Sequence, residues 1–262
     1  MTPTSLTRRL LIAGLSLLAF SAQAQTALDG IIKSKTIKIA VPTDYPPYGF
    51  VGPDMAPQGL DVAVAQLIAA KLGVKAELVP VTSANRIPYL QTKKADLVIS
   101  TLGKNPEREK VINFSAAYAP FYQAVFAAKS LPIKSWADLA GKSVAVTRGA
   151  MEDQELAKVA PSSLEYKRFE DNNATIAAFA AGQTQLLATS ASVAGNLMVR
   201  NPGLNTEFKL LLKDSPCYIG VAKGEDALLA KVNEIIAAAK AAGELEALSK
   251  KWLGRGTGEL PL

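Results

Sequence analysis

Arg86 and Arg108 are the residues whose chemistry is easiest to name. They lie in the segment 85–109, N-R-I-P-Y-L-Q-T-K-K-A-D-L-V-I-S-T-L-G-K-N-P-E-R-E. One guanidinium precedes an apolar helical stretch and a short strand; the hydroxyls of Ser100 and Thr101, then Gly103, lead to the second. Two fixed guanidiniums flanking a Ser-Thr pair can hold a carboxylate by bidentate, charge-assisted hydrogen bonds. The segment therefore reads as a site for a small carboxylate-bearing molecule. The competing reading of each arginine is a surface ion pair worth under about 1 kcal/mol.

Composition removes several other chemistries. The chain has no histidine and one cysteine, Cys217. No disulfide can form within it, zinc sites built on cysteine and histidine are excluded, and the commonest general base is missing. No metal or cofactor is expected. Cys217 precedes Tyr218-Ile219-Gly220-Val221, a strand-like run in which a lone cysteine behaves as a small hydrophobe.

The first residues read as an export signal. Thr7-Arg8-Arg9 is basic, Leu10 to Phe20 is an apolar run of 11 residues, and Ala22-Gln23-Ala24 supplies small residues for cleavage. The arginine pair resembles a twin-arginine signal, but general secretion is favoured. Cleavage near Ala24 would start the mature chain at Gln25, which is not cysteine, so lipid attachment has no acceptor there. The expectation is a monomer free in a periplasm. Residues 1–24 carry two arginines and no acids, so the formal net charge falls from +6 to +4. Those remaining lysines are scattered, which argues against nucleic acid as a partner.

Strand-like runs at 36–41, 75–81, 97–100, 143–147, 164–169 and 185–189 alternate with helical patterns at 61–72, 86–92, 152–159 and 173–181. This alternation predicts α/β layers with a mainly parallel sheet, and it occurs twice. Asp61 is read as the cap of a helix that Gly73 closes. An extended segment at 119–128 would cross to a second lobe; a strand at 217–222 and helices at 226–241 and through Trp252 would carry the chain back. The expected division is 1–24 signal, 25–122 first lobe, 123–216 second lobe and 217–262 return to the first. The Gly254-Arg255-Gly256 tail is read as frayed.

Five segments in order resemble the periplasmic solute-binding proteins of amino-acid ABC importers, the family 3 bacterial extracellular solute-binding domain. They are T-I-K-I-A-V-P-T-D-Y-P-P-Y-G-F (36–50), G-L-D-V-A (59–63), the 85–109 segment, V-A-V-T-R-G-A-M-E-D (144–153) and A-G-Q-T-Q-L-L-A (181–188). The resemblance implies a two-lobe, type II periplasmic binding fold with two hinge crossings and a ligand between the lobes. It implies that Tyr45 walls the pocket, that Ser100, Thr101 and Gly103 offer hydroxyls and an amide, and that Arg108 clamps an α-carboxylate. Arg86 and Ser83 match a subset resembling glutamate/aspartate and broad-range binders.

In the second lobe the resemblance places Gly149, Ala150 and Met151 at a helix start, where free amides can reach the same carboxylate. The family often has Ser or Thr near 150 and 151. Many amino-acid binders also place an aspartate near 187–190, where this chain has Leu187-Ala188-Thr189-Ser190. Ser190 or Thr189 would then accept from a ligand amine, with Glu152 or Asp153 supplying charge. With Arg86, Arg108 and Arg148 counted near the site, acidic or neutral amino acids are favoured over cationic ones, and an amine-free acid stays open. The implied partners are the amino acid and an ABC permease in the inner membrane. Two rival classes are a dehydratase of the cyclohexadienyl type on the same scaffold and a ligand-sensing module for a membrane receptor.

Overall fold

The structure, a computed structural model, describes residues 26–261; the segment 1–24, read from sequence as an export signal, lies outside them. Thr26 and Asp29 form a reciprocal capping box that starts α1 (Ala27–Ser34). The β-branched run T-I-K-I-A-V makes β1 (Thr36–Val41), and three short strands, β2 (Asp44–Tyr45), β3 (Gly49–Val51) and β4 (Pro57–Gln58), form a small antiparallel sheet beside it. Helix α2 (Leu60–Leu72) is apolar around most of its circumference and buries eight residues, as a helix enclosed between layers must. Gly73, in the left-handed conformation, ends it.

The chain continues through β5 (Lys75–Pro80), α3 (Arg86–Gln91), β6 (Leu97–Leu102), the one-turn helix α4 (Pro106–Glu109) and β7 (Ile112–Ala119). The second half holds β8 (Tyr122–Ala128), β9 (Ser143–Thr147), α5 (Met151–Val159), β10 (Glu165–Phe169), α6 (Asn172–Ala180), β11 (Leu186–Ser190), α7 (Ala191–Arg200) and β12 (Thr206–Asp214). Then follow β13 (Cys217–Ala222), α8 (Asp226–Ala241) and α9 (Glu244–Leu253).

Two five-stranded sheets result, ordered β5-β1-β6-β13-β7 and β10-β9-β11-β8-β12. In each, four strands run in one direction and one, β13 in the first and β8 in the second, runs against its neighbours. β1 and β5 pair in register from Thr36↔Lys75 to Val41↔Pro80. All six residues of β6 are buried, the continuous apolar run expected of a strand covered on both faces. The polypeptide passes between the sheets twice, at residues 120–121 and at residues 215–216.

Four expectations need correction. Gly59, at φ 122°, is the residue before α2, and Asp61 sits inside the first turn with its carboxylate turned into the protein. Most of the supposed crossing at 119–128 is β8, a strand flanked on both sides in the second sheet; the crossing itself is two residues long. Arg148 lies at the surface, where it pairs with Glu170 at 2.8 Å.

The tail is pinned rather than frayed. Ser249 donates to the Arg255 carbonyl at 2.8 Å, Glu246 accepts the Thr257 amide at 2.7 Å, and the Arg255 guanidinium stacks over Tyr122 at 4.7 Å. Leu260 is buried. Burial and these polar contacts together offset the ordering entropy that a glycine-rich end would otherwise keep.

Candidate functional site

The carboxyl ends of β1, β6, β9 and β11 face one another across the two sheets, where the strand order of open α/β sheets places ligand crevices. Arg86 opens α3 and is 3% exposed. Its Nε donates to the Ser83 carbonyl at 3.1 Å, and Nη1 donates to the carbonyls of Ser100 at 2.8 Å and Thr101 at 3.3 Å. Its Nη2 reaches the Gly149 carbonyl of the second lobe at 3.3 Å.

Arg108 sits in α4, whose start is fixed by Asn105: its Oδ1 accepts the Arg108 amide at 2.9 Å, and Pro106 supplies the first helical position. The guanidinium donates to the Gly103 carbonyl at 2.8 Å and to the same Gly149 oxygen at 3.1 Å. Two buried cations thus share one main-chain acceptor, and among the described residues neither is paired with a carboxylate. Burial, then repulsion from Arg86, pulls the Arg108 guanidinium down to about 9; burial also lowers Arg86, against the pull of Glu152, Tyr45 and Asp61. An incoming anion would relieve both.

Gly149 adopts φ 72°, and a Cβ there would lie 2.9 Å from the Cα of Ala84 in the first lobe. Glycine is required both by the left-handed backbone and by the closeness of the lobes. Further contacts cross the interface. Asp44 accepts from the Asn172 amide and side chain at 2.6 and 3.0 Å, Tyr48 donates to Ser192 at 3.3 Å, and Asn105 donates to Gln154 at 2.9 Å.

Tyr45 is buried and stacked on Tyr48 at 5.9 Å. Its hydroxyl accepts the Ser190 amide at 3.1 Å, lies 3.1 Å from the Thr189 hydroxyl and 3.4 Å from Glu152. Burial raises its pKa, with Glu152 adding to the effect.

Thr101 has φ 43°, a strained value for a β-branched residue. Asp61 holds it there: one carboxylate oxygen accepts the Thr101 amide at 2.8 Å and the other accepts the Tyr118 hydroxyl at 2.7 Å. Burial raises Asp61 to about 7, opposed by those two hydrogen bonds and by Arg86.

Of the residues predicted for the site, Tyr45, Ser83, Arg86, Thr101, Ala150 and Met151 border one cavity of about 10 Å³, room for a single water. Ser83, Arg86, Arg108 and Gly149 border a second, of about 100 Å³. Ser100 and Gly103 contribute carbonyls to the arginines.

Two expectations change. The Ala150 amide is not free, because it donates to the Thr147 carbonyl at 3.1 Å. The Ser190 hydroxyl accepts the Val193 amide at 3.2 Å as the cap of α7. A roomier depression, about 540 Å³, lies at the opposite ends of the first sheet's strands beside Lys38, Glu77 and Asp96. Size alone does not make it the site; the buried guanidiniums and Glu152 converge on the interlobe gap.

Sequence reasoning missed Asp44, Asn172, Phe121 and the role of Asp61. The Asp171-Asn172 pair carries a helix-cap signal, and Asp171 does accept the Ala174 amide at 2.7 Å. Nothing local tells that Asp44 will meet it from 128 positions away.

Two α/β lobes linked by two crossings and meeting over buried cationic side chains define a two-lobed ligand-binding protein. The chain belongs to the bacterial extracellular solute-binding proteins, family 3, which it matches over residues 37–255. It is similar to the L-cystine-binding protein TcyJ of Escherichia coli, 27% identical over 246 residues and covering 93% of this chain and 91% of the relative. It is also similar to the ABC transporter glutamine-binding protein GlnH of Bacillus subtilis, 29% identical over 233 residues, covering 86% and 84%.

Among solved structures, the solute receptor for L-cysteine of Neisseria gonorrhoeae superposes with a TM-score of 0.81 at 30% identity, covering 86% of this chain and 93% of that one. The ancestral amino acid-binding protein AncCDT-1, a precursor of cyclohexadienyl dehydratase, gives 0.78 at 29%, covering 87% and 99%. The curated relatives are named for binding, in keeping with a solute-binding protein rather than an enzyme.

Proposed function

We propose that this chain is an exported protein that captures a small amino acid, acidic or neutral, between its lobes in the periplasm and delivers it to an ABC permease in the inner membrane. In this reading 1–24 is the cleaved signal, 25–122 with 217–262 form the first lobe, and 123–216 the second. Tyr45 walls the ligand; Arg86 and Arg108 take its carboxylate with help from Ser83, Ser100, Thr101 and Gly103; and the backbone around Gly149, Ala150, Met151 and Ser190 closes the second side.

The single observation that carries the reading is the pair of buried guanidiniums from one lobe reaching a carbonyl of the other. A carboxylate presents two acceptors where that carbonyl presents one, so it engages both arginines better. Donors from both lobes meet one anion only when the lobes are together, and ligand therefore favours that arrangement. With Arg148 paired at the surface, the gap holds Arg86 and Arg108 against Glu152, and the excess positive charge disfavours a cationic side chain.

Calorimetry of Arg108→Ala against wild type, over the twenty amino acids and L-cystine, tests the clamp. At least tenfold weaker binding is expected, the loss of a charge-assisted pair of roughly 1.5–3 kcal/mol. Unchanged affinity would remove Arg108 from the site.

A further inference from the structure

Helix α5 carries three acids near its start, and their partners differ. Asp153 pairs with Arg168 at 2.8 Å, and Glu155 pairs with Lys158 at 2.9 Å and Lys213 at 3.2 Å. Glu152, only 4% exposed, forms no ion pair among the described residues; its carboxylate is met by its own backbone amide and, at 3.4 Å, by the Tyr45 hydroxyl. A carboxylate has about four acceptor positions, and a buried one left so poorly matched is costly unless a cation meets it. The carboxylate borders the cavity that Arg86, Tyr45, Thr101 and Asn172 also border.

The other acids near this gap, and the two hydroxyls at the end of β11, are already engaged. Asp61 is held between the Thr101 amide and Tyr118, and Asp44 by Asn172. At the end of β11, Ser190 caps α7 and Thr189 faces the Tyr45 hydroxyl. Of the groups expected from sequence to receive a ligand amine, Ser190, Thr189 and Asp153 are therefore occupied, and Glu152 alone stands without an ion-pair partner among the described residues.

We propose that Glu152 is the specificity-determining residue that accepts the primary ammonium of an α-amino acid, so that the site recognises a zwitterion, with arginines at the carboxylate and this acid at the amine. The inference rests on the amino-acid-binding function proposed above and names the chemical feature that separates an amino acid from a plain carboxylate. Arg86 and Glu152 form the opposed charges of one polar gap, walled by Tyr45 and Phe121. A zwitterion matches that dipole; a simple dicarboxylate places negative charge against Glu152.

The test titrates wild type and Glu152→Gln with each of the twenty amino acids, L-cystine, and glutarate, which keeps two carboxylates and lacks the ammonium. Glutamine preserves shape and hydrogen bonding while removing the charge, and thermal melts of both proteins establish that the variant is folded. The amino acid bound most tightly by wild type should bind at least tenfold more weakly to the variant, and glutarate should bind the variant at least as well as wild type. If wild type binds an amino acid and the variant keeps that affinity within about twofold, the assignment of Glu152 is wrong while the proposed function stands. If wild type takes glutarate as tightly as its best amino acid, ammonium recognition itself is wrong. If wild type binds no amino acid, both readings fall together, and the wild-type titration alone reveals it.

Discussion

Asp61 shows how one buried carboxylate can set the geometry of a loop at the interlobe gap without bordering the cavity itself. Its two hydrogen bonds fix Thr101 at φ 43° and anchor Tyr118, and Thr101 in turn presents a carbonyl to Arg86. That arrangement has a measurable consequence. Burial raises Asp61 from an ordinary 3.8 to about 7 in the folded chain, so between those values the folded state holds a proton that the unfolded state has released. Stability from this group is complete below about pH 4 and is lost as pH rises through about 7, at up to about 1.4 kcal/mol per pH unit within that window. Urea denaturation at pH 4, 5, 6 and 7 should show wild type losing stability relative to Asp61→Asn as pH rises. Parallel curves would mean that Asp61 stays ionised across the range.

The loop from β9 into α5 is one of the elements on which the two lobes meet. Gly149 gives it a left-handed turn, a carbonyl aimed at both arginines, and clearance from Ala84. Gly149→Ala should cost about 1–2 kcal/mol of stability through its φ alone. It should also weaken amino-acid binding at least tenfold, because the added methyl holds the lobes apart. Denaturation and calorimetry report the two effects separately, and an alanine variant that binds like wild type would show that close approach at Ala84 is dispensable.

Much at this scale was legible in the sequence. β1, β9, β13 and α8 fall on the residues that periodicity marked, since each is a run of one clear pattern. β12 was not legible. It is half-exposed, studded with lysines and broken by register shifts between Phe208 and Leu210 and between Leu211 and Lys213, which blur the two-residue period. α7 was hidden by Gly195 and two valines, weak helix formers that packing against the second sheet overrides. Arg86, Arg108, Tyr45 and Gly149 could be singled out, and they do converge on the interlobe gap. That Ser190 would be spent on a helix end and Glu152 left unpaired depends on distances between elements remote in sequence.

At the scale of the whole molecule, two short crossings at residues 120–121 and 215–216 join the lobes, and the C-terminal segment lies alongside both. Pro120, Tyr122, Asp214 and Pro216 share a cavity of about 310 Å³ with the segment from Thr257 to Pro261. The Pro261 carbonyl accepts the Ala117 amide at 3.4 Å, Leu260 is buried, and Arg255 covers Tyr122. Deleting residues 255–262 should lower unfolding stability by roughly 2–4 kcal/mol, the sum of one buried leucine and an exposed cation–π contact. Chemical denaturation measures this directly; a deletion with wild-type stability would return the tail to the frayed state first read from its glycines.

In the proposed reading, the Gly149 oxygen shared by both guanidiniums makes capture an exchange. An arriving carboxylate inherits donors that a peptide group already engages, so its affinity reflects the margin between two acceptors rather than the full strength of each new bond. The displaced peptide must then find water or another donor, and how comfortably it does so becomes part of the affinity. Tuning that backbone's alternatives, without altering any side chain that meets the solute, would shift retention for every solute alike.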